Sequence, residues 1–552
     1  MSKQKYQKAL SLLSDSGIGV ILTRTREPLR AISALRELSQ TNHLPFCQWD
    51  VMRGWRSYGP NDREDTPPKA EKITDPFMAL KAIEDIDNAG MNRKESGLFV
   101  MSAIHHWMGK HPGITECLRH YVKTFAEKAD LRLVLVCPES TMLPEELQHD
   151  IPIVDFDLPD HEEIKSIYEY ILASSTLEGE DVPELYGDAE TEALISSAGG
   201  MTTMQAEAAY SLAIVKNRPV DREWHDIPFS AFNGSVLDSK TEAVKQSEVL
   251  ELLEPVEMSD VGGLEVLKEW ITDAAQMFSK EARDFGADMP DGIAAVGPPG
   301  TGKTLVAKAI ATTLGQPLVK FDVSKCFGKY VGESESKVRS ALKQLEAMGR
   351  VVVLFDEVDK SLGGSHQGGG DNGVSQRVLG SILTFLQETS APIFPVFTAN
   401  RTNSLPPELL RKGRLDEVFA VMPPNRIERE AILKIHLRKR KQTGKIKDLG
   451  VAVAASRGYV SAELEAAVKE AVKHSFCHGV EITGQLIAEQ LLNMVPISVA
   501  FAEDFAAMQE WAANNARQAS APCDEDANES IPEPKRARRR AIQGDNNINS
   551  KN

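Results

Sequence analysis

A glycine-rich loop between a short apolar run and a helical pattern constrains this chain most strongly. Residues 293–296 read IAAV, residues 297–304 read GPPGTGKT, and the periodic run KTLVAKAIATTL then leads to Gly315. This is the full phosphate-binding pattern GxxxxGK[ST] in its strand–loop–helix context. Glycines let the backbone turn tightly so that N–H groups point at phosphate oxygens, and the helix N-terminus adds positive charge. The sequence therefore predicts an α/β module with a nucleotide site at the end of a parallel strand.

Two residues of this loop have specific expected roles toward ATP. The Lys303 ammonium is expected to reach the β- and γ-phosphates, and the Thr304 hydroxyl is expected to bind Mg²⁺. The complete set of loop residues predicted to contact the nucleotide is Gly297, Pro298, Pro299, Gly300, Thr301, Gly302, Lys303 and Thr304.

A second apolar run ends in two carboxylates about 50 residues further on. VVVLF at 351–355 is followed directly by Asp356 and Glu357. Continuous apolar runs are typical of buried parallel strands, and ligands bind beyond the carboxyl ends of such strands. We expect Asp356 to hold Mg²⁺ and Glu357 to orient and deprotonate the attacking water. The alternative is an acidic strand end that only faces solvent.

Polar residues also follow the next strand-like run, IFPVF. The Asn400 amide is placed to contact the γ-phosphate or the water, with an ordinary turn asparagine as the alternative. Arg411 lies on a predicted short helix, and Arg414 lies in the turn after it. Strand geometry places both arginines away from their own phosphate loop. They are therefore expected to act on the ATP of a neighbouring subunit, and the alternative is a basic surface helix.

Strand-like runs occur in two series, each with intervening helical patterns. This alternation indicates parallel sheets covered on both faces. The segment LPEEL before IPIVDF resembles LPPELL before EVFAV, and both following helices open with a predicted capping box, Asp160 with Glu163 and Asn425 with Glu428. These likenesses favour two modules of common architecture over two unrelated strand–turn–helix segments. The first series is GVILTRT, GLFVMSA, LRLVLVC and IPIVDF, and the second is IAAV, PLVKFDV, VVVLF, IFPVF and EVFAV.

The first series lacks the groups that a nucleotide site needs. REPLRAIS follows its first strand without glycines or a Lys-Thr pair, and SAIHH stands where carboxylates would be needed. We predict that this part is a scaffold or partner-docking module that binds no nucleotide. Anion binding by Arg24 and Arg26 is the alternative, and a metal site at His105, His106 and His111 is disfavoured because no helper ligand lies at fixed spacing.

Composition narrows the remaining function classes. The net charge of −17 disfavours a chain that coats nucleic acid, and six scattered cysteines without a CxxC pair disfavour disulfides or zinc. No signal segment or membrane-length apolar run is seen, so we expect a soluble, cytoplasmic protein. The basic run KRARRR at 535–540 is expected to be a solvated tail, with nuclear localisation or nucleic-acid binding as the alternative.

The motifs together resemble the AAA family of the AAA+ superfamily. DVGGL at 260–264, the phosphate loop, DEVD, TAN and LLRKGRLDE occur in the order and spacing of that family, and GYVSAELEAAVKEA at 458–471 resembles its lid motif. The resemblance implies that Asp260, Val261 and Gly262 pack on adenine. It also implies a homo-oligomer, with a hexameric ring favoured, and a central channel. There the step Tyr330, Val331 and Gly332 would grip a protein substrate.

A narrower resemblance, to the Ycf forty-six type of AAA proteins, covers nearly the whole chain. It implies an active P-loop AAA+ module with a helical lid, preceded by a degenerate AAA-like α/β module with its own lid. The predicted parts are a degenerate ATPase-like domain at 1–172, a helical lid-like region at 173–245, an active AAA ATPase domain at 246–424, a C-terminal helical lid at 425–518 and a disordered tail at 519–552.

The expected function is Mg²⁺-dependent ATP hydrolysis that drives remodelling of a protein substrate. A nucleotide-dependent scaffold or switch with slow hydrolysis remains open, and a nucleic-acid motor is disfavoured by charge. A metalloprotease is excluded because HEEIK at 161–165 lacks the second histidine of HExxH.

Overall fold

The computed structural model describes a large part of the chain as two compact units. One unit comprises residues 1–243 together with 330–349, and the other comprises 244–329 and 350–552. The described residues are 3–59, 69–85, 96–127, 130–176, 185–218, 226–245, 247–326, 333–362, 372–401, 409, 413–442, 446 and 448–523.

The helices and strands follow the alternation that the sequence predicts. The elements up to residue 245 are α1 (Lys3–Asp15), β1 (Val20–Thr25), α2 (Pro28–Thr41), β2 (Phe46–Asp50), β3 (Gly54–Tyr58), β4 (Lys69–Glu71), α3 (Pro76–Asp85), β5 (Ser96–Ser102), α4 (Pro112–Ala126), β6 (Asp130–Cys137), β7 (Ile153–Phe156), α5 (His161–Ser175), α6 (Asp188–Ala198), α7 (Thr203–Asn217) and α8 (Phe229–Lys245). The later elements are β8 (Leu250–Leu253), α9 (Glu265–Met277), α10 (Lys280–Phe285), β9 (Ile293–Val296), α11 (Lys303–Leu314), β10 (Leu318–Phe321), α12 (Glu333–Met348), β11 (Val351–Phe355), α13 (Val358–Leu362), α14 (Asn372–Glu388), β12 (Ile393–Ala399), β13 (Glu417–Ala420), α15 (Arg426–Lys439), α16 (Gly450–Ala455), α17 (Ser461–His478), α18 (Gly484–Leu492), α19 (Ile497–Ala500), α20 (Ala502–Asn515) and β14 (Arg517–Gln518).

The two sheets share the same parallel core. The first sheet has the order β4-β3-β2-β5-β6-β1-β7, and the second has the order β14-β13-β9-β12-β11-β10-β8. If only the parallel strands of each module are counted in chain order, both sheets have the same order. The first sheet reads β7-β1-β6-β5-β2 and the second reads β13-β9-β12-β11-β10, so each core has the order fifth, first, fourth, third and second strand. The predicted fold class, α/β with two parallel-stranded modules, is confirmed. The repeated order makes β1 the counterpart of β9, and β5 the counterpart of β11.

Each sheet is buried by helices on its faces, and each module continues into a helical region. Strand β11 is buried at every position, as a parallel strand between two helical layers must be. Tyr168, Tyr210 and Phe232 lie in the core of the first helical region, and Leu433, Leu464 and Ile487 lie in that of the second. The predicted capping boxes at Asp160 and Asn425 are confirmed.

Three features of the sheets were not predicted. Strands β3 and β4 extend the first sheet antiparallel beyond the parallel strand β2, and β8 adds an antiparallel edge to the second. After the lid, β14 returns to pair with β13, and the Ala519 N–H donates to the Ala420 carbonyl at 3.0 Å. Ala519 is fully buried, so the chain is anchored on the second sheet at the residue where the disordered tail is predicted to begin.

The described helices fall short of a membrane span when each is taken by itself. No single one of them combines the length and apolar character needed to cross a bilayer. One bent pair, residues 484–500 and 502–515, meets the criteria of length and composition when its two parts are taken together.

Candidate active site

The phosphate loop joins β9 to α11 with two of its three glycines in conformations that other residues rarely adopt. Gly300 and Gly302 have φ values of 84° and 101°. A Cβ atom on Gly297 would lie 2.0 Å from the Val421 carbonyl oxygen, which excludes any larger residue. The loop is therefore shaped by backbone geometry, which leaves its N–H groups available to an anion.

Lys303 begins α11 and is almost completely buried. Its Nζ donates to the carbonyl oxygens of Gly297 and Pro298 at 2.8 and 2.7 Å. Burial lowers the pKa of the Lys303 ammonium to about 8, although nearby carboxylates oppose this shift. An ammonium that is desolvated in this way gains strongly when a phosphate comes within reach.

The hydroxyl and carboxylate predicted to hold Mg²⁺ lie next to each other. Thr304 Oγ1 donates to Asp356 Oδ1 at 3.3 Å, and Thr398 Oγ1 donates to the same oxygen at 2.6 Å. Lys320 Nζ lies 3.3 Å from Asp356 Oδ2. Across the described residues, no cluster of three His, Cys, Asp or Glu side chains could hold a metal by itself. The adjacent Thr304 hydroxyl and Asp356 carboxylate are oxygen donors of the kind that suit Mg²⁺, which is usually held by one or two protein oxygens together with substrate phosphates.

Glu357 follows with a strained backbone and a fixed side chain. Its φ of 51° is unusual for a residue that is not glycine, and its N–H donates to Thr398 Oγ1 at 2.9 Å. Asn400 Nδ2 donates to Glu357 Oε1 at 2.9 Å, while Lys360 Nζ lies 2.6 Å from Oε2. Lys360 is the main cause of a lowered pKa at Glu357, so this carboxylate is ionised at neutral pH.

Of the two predicted arginines, Arg414 lines a cavity separate from the phosphate loop, and Arg411 is not among the described residues. Arg414 is half-buried and lines a cavity of about 870 Å³ together with Trp270, Leu383 and Asp416. No residue of 297–304 lines that cavity. Arg411 lies outside the described residues, as do the predicted channel residues Tyr330, Val331 and Gly332.

The predicted adenine-binding residues line a small cavity beside the loop. A Cβ atom on Gly262 would lie 2.6 Å from Ile432 Cγ1, so only glycine permits α15 to approach this closely. The Asp260 carboxylate pairs with Arg438 and Lys439 of α15, so it holds the lid helix. The cavity lining is Asp260, Val261, Gly262, Leu264, Thr301, Gly302, Leu305, Ile432, Ile435, His436 and Ser461.

The lid helix α17 contacts the phosphate loop directly. The Ala462 N–H donates to the Gly300 carbonyl at 3.0 Å, and Ser461 Oγ lies 3.4 Å from the Thr301 carbonyl. Neither residue, nor Ile432 or His436 in the cavity wall, was among the predicted site residues. The resemblance to the lid motif was the available signal for Ser461 and Ala462, whereas nothing local to the sequence singled out His436.

His436 gives the lid a specific pH dependence. Burial lowers its pKa, with Glu465 opposing and Arg440 reinforcing this shift. The free energy of unfolding should therefore decrease as the pH falls below about 6.5, the pKa of an exposed histidine, because the unfolded chain then binds a proton that the folded chain disfavours. His436→Gln should flatten the stability profile between about pH 5 and 7, measured by thermal unfolding. The exposed His478→Gln is the control, and equal slopes for the two variants would contradict this assignment.

Two family models match the chain, one in each module. Residues 293–422 match the "ATPase family associated with various cellular activities (AAA)", and residues 6–156 match the "SpoVK-like AAA ATPase, N-terminal domain". The "Uncharacterized AAA domain-containing protein ycf46" of Guillardia theta is 32% identical over 511 residues, which are 92% of this chain and 95% of that protein. The chain belongs to the ycf46 family of AAA proteins.

Other relatives agree with this placement. The ycf46 protein of Pyropia yezoensis is 31% identical over 519 residues, which are 93% of this chain and 99% of that protein. The "Cell division cycle protein 48 homolog" of Archaeoglobus fulgidus is 35% identical over 229 residues, which are 41% of this chain and 31% of that protein. Membership of the AAA ATPase family supports ATP binding and ATPase activity in general.

The SpoVK-like module of this ycf46-family chain has the strand order of the ATPase module with different side chains. Ser102 ends β5 and Ala103 follows it, where Asp356 and Glu357 follow β11. Ala103 has a φ of 60°, close to that of Glu357, so the backbone shape persists without the carboxylate. The first sheet therefore keeps the backbone conformation found after β11 at this position, but it lacks the two carboxylates.

The basic and histidine candidates of this module have other partners. Arg24 Nε lies 2.8 Å from Asp155 Oδ1, and Arg26 Nε lies 3.0 Å from Glu139 Oε2. The His111 ring packs against Phe77 in a tilted arrangement, with ring centroids 5.0 Å apart and 36° between the ring planes. The arginines are thus neutralised by carboxylates of the same module.

Proposed function

We propose that the chain hydrolyses ATP with Mg²⁺ at one site and uses the energy to remodel a protein substrate within a ring of identical subunits, a hexamer being favoured. The observation that carries the proposal is the set of side chains at the carboxyl edge of the second sheet. Lys303, Thr304, Asp356, Glu357 and Asn400 come from two strand ends and one helix start and lie together there.

Each group has a distinct part in the proposed reaction. Lys303 and the loop N–H groups bind the phosphates, while Thr304 and Asp356 would hold Mg²⁺. When bound, the metal neutralises charge on the phosphate oxygens. Asn400 holds Glu357 Oε1 by a 2.9 Å hydrogen bond, and the ionised Glu357 accepts a proton from the attacking water. Hydrolysis should accordingly depend on Mg²⁺ and stop with excess chelator.

Only the second module should bind nucleotide. In the first module Arg26 and Glu27 alone separate β1 from α2, whereas residues 297–302 separate β9 from α11. Two residues cannot form a loop that surrounds a phosphate. Equilibrium dialysis should therefore find one ATP per chain and none in the Lys303→Ala variant. Two ATP per chain would contradict the assignment.

The ring is proposed from the arginines and the family. AAA+ proteins commonly assemble as hexamers, and Arg414 lines a cavity that the chain's own phosphate loop does not reach. Arg411 and Arg414 would then supply positive charge to the γ-phosphate bound by the neighbouring subunit.

Substrate grip is assigned to Tyr330, Val331 and Gly332. An aromatic ring holds many kinds of side chain because its contact is mostly apolar burial and its two χ angles cost little entropy to fix. Tyr330→Ala should leave basal hydrolysis nearly intact and abolish its stimulation by an unfolded polypeptide, measured as phosphate release. Tyr330→Phe is the matched control and should remain stimulated. Full stimulation of Tyr330→Ala would favour the switch described next.

A nucleotide-dependent scaffold or switch with slow hydrolysis is favoured by one contact. Lys360 lies 2.6 Å from Glu357 Oε2 and lowers the pKa of Glu357, which makes this carboxylate a weaker base. If an unfolded polypeptide raises the ATPase rate, the motor is favoured, and if it does not, the switch is favoured.

Two other expectations are unchanged. A nucleic-acid motor is disfavoured by the net charge of −17, and the cytoplasmic location stays a prediction.

A further inference from the structure

Helix α12 lies against the edge of the first module that corresponds to a nucleotide site. Although α12 lies between β10 and β11 of the ATPase module in the sequence, it belongs to the compact unit of residues 1–243 and 330–349. Arg26, directly after β1, donates to the Gln344 side chain at 3.1 Å and to the Ser340 carbonyl at 3.0 Å. Ser340 Oγ in turn donates to Glu139 Oε2 at 2.7 Å.

A second set of contacts is ionic. Lys343 Nζ lies 2.8 Å from Asp155 Oδ2 and 3.0 Å from Asp157 Oδ1, both at the end of β7. Burial alone would lower the pKa of Lys343, but Asp157 and Asp155 offset this effect and raise it. The lysine is therefore held as a cation between two carboxylates that are themselves half-buried, where such pairs are less screened than on an open surface.

The C-terminal end of α12 packs closely against two glycines of the first module. A Cβ atom on Gly199 would lie 3.0 Å from the Met348 carbonyl oxygen, and one on Gly200 would lie 2.4 Å from Met348 Cγ. Both glycines stand shortly before the lid helix α7. The lid and the sheet edge of the first module thus contact the same helix.

A glutamate holds this lid without any bound nucleotide. Glu27 is buried at the start of α2, where it pairs with Arg30 at 2.6 Å and accepts a hydrogen bond from the Thr203 N–H. In the ATPase module the lid residue Ala462 instead donates to Gly300 of the phosphate loop. Gly200 and Gly458, which precede the two lid helices, share a φ of 82°. The Glu27 carboxylate therefore lies at the N-terminus of α2, and in an active module the corresponding helix N-terminus binds a phosphate of the nucleotide.

We propose that the first module is a nucleotide-independent clamp for helix α12, residues 333–348, with Glu27 holding its lid closed. The interaction surface is the carboxyl edge of the first sheet, and its occupant is a segment of the same chain. The contacts that define the clamp lie within residues 26–348 and do not depend on the proposed ATPase function.

Hydrogen exchange of the full-length chain tests the clamp. The double variant R26A/K343A should accelerate amide exchange in peptides spanning 333–348 by about tenfold or more, because both polar anchors are lost. Glu346→Ala, at an exposed position of the same helix, is the matched control and should leave exchange unchanged. If the double variant folds poorly, Lys343→Met replaces it as the test. Methionine keeps the aliphatic stem without the charge, so this variant should accelerate exchange in 333–348 to a smaller extent.

Two further measurements isolate the parts of the proposal. Binding of a fluorescent ATP analogue should stay within about twofold of the unaltered chain in R26A/K343A, because the contacts removed belong to the first module. Adding ATP to the Lys303→Ala chain should not slow exchange in residues 203–217, whereas Glu27→Gln should accelerate it.

Two results would overturn the clamp. One is unchanged exchange of 333–348 in both R26A/K343A and Lys343→Met. The other is protection of 203–217 by ATP in the Lys303→Ala chain, which would mean that the first module binds nucleotide. Exchange does not depend on hydrolysis, so a failure of the proposed ATPase function would be seen separately in phosphate release.

Discussion

Glu357→Gln should bind ATP normally and hydrolyse it about 10²- to 10⁴-fold more slowly, the range expected when a general base is lost. Glutamine keeps the size of the side chain and its contact with Asn400 but cannot accept the proton of the attacking water. Lys303 and Thr304 still hold the phosphates, so affinity is retained. Phosphate release and binding of a fluorescent ATP analogue measure the two effects separately.

The controls for this variant address both binding and fold. Lys303→Ala should lose ATP binding itself, while Glu503→Gln, at an exposed position of α20, should change neither binding nor turnover. Normal turnover in both Glu357→Gln and Lys303→Ala would place the catalytic site elsewhere. The slow variant held with ATP should also retain bound protein substrates, which makes it suitable for their capture and identification.

Arg411→Ala and Arg414→Ala should each reduce hydrolysis by about 10³-fold or more, the lower end of the range for an arginine that stabilises the transferred phosphoryl group. ATP binding by the isolated subunit should change little, because the arginines are proposed to act on the neighbour's nucleotide. Phosphate release at saturating ATP is the measurement, with the dissociation constant of an ATP analogue determined in parallel.

Mixing experiments decide whether these arginines act between subunits. A Lys303→Ala chain has intact arginines but no nucleotide, and an Arg414→Ala chain has nucleotide but lacks one of the two arginines. A mixture should regain part of the activity, since an interface with both groups can form between unlike subunits. Arg401→Ala, which removes an exposed arginine after β12, is the matched control and should remain active alone. An inactive mixture at every ratio would contradict action in trans.

The chemical part of the site could be predicted from the sequence because its information is local. The glycine spacing of 297–304 and the carboxylates after VVVLF each lie within a few residues of a strand end. Parallel strands bring their carboxyl ends to one edge of the sheet. Asp356 and Glu357 follow one strand-like run and Asn400 follows the next, so their positions in the sequence were enough to predict that they lie together, and β11 and β12 are indeed neighbours. The same rule identified the first module as a sheet whose edge lacks carboxylates.

The features that the sequence did not predict all join distant parts of the chain. The Ala462 N–H donates to the Gly300 carbonyl, and the Ala519 N–H donates to the Ala420 carbonyl. Ile432 packs closely against Gly262, where a side chain would not fit. Each pairing depends on how a lid or an edge strand packs, and short polar segments such as β14 carry too little periodicity to reveal it.

The sequence by itself determined the phosphate chemistry and the α/β class, because loop glycines, strand-end carboxylates and apolar runs are short-range signals. Only the tertiary structure decided that Arg26 and Asp155, far apart in the chain, both bind helix α12 at the edge of the first sheet. Only the tertiary structure also decided that Glu27 meets Thr203 at the lid. Ion pairs and buried carboxylates of this kind arise from packing, and packing is a property of the folded chain as a whole.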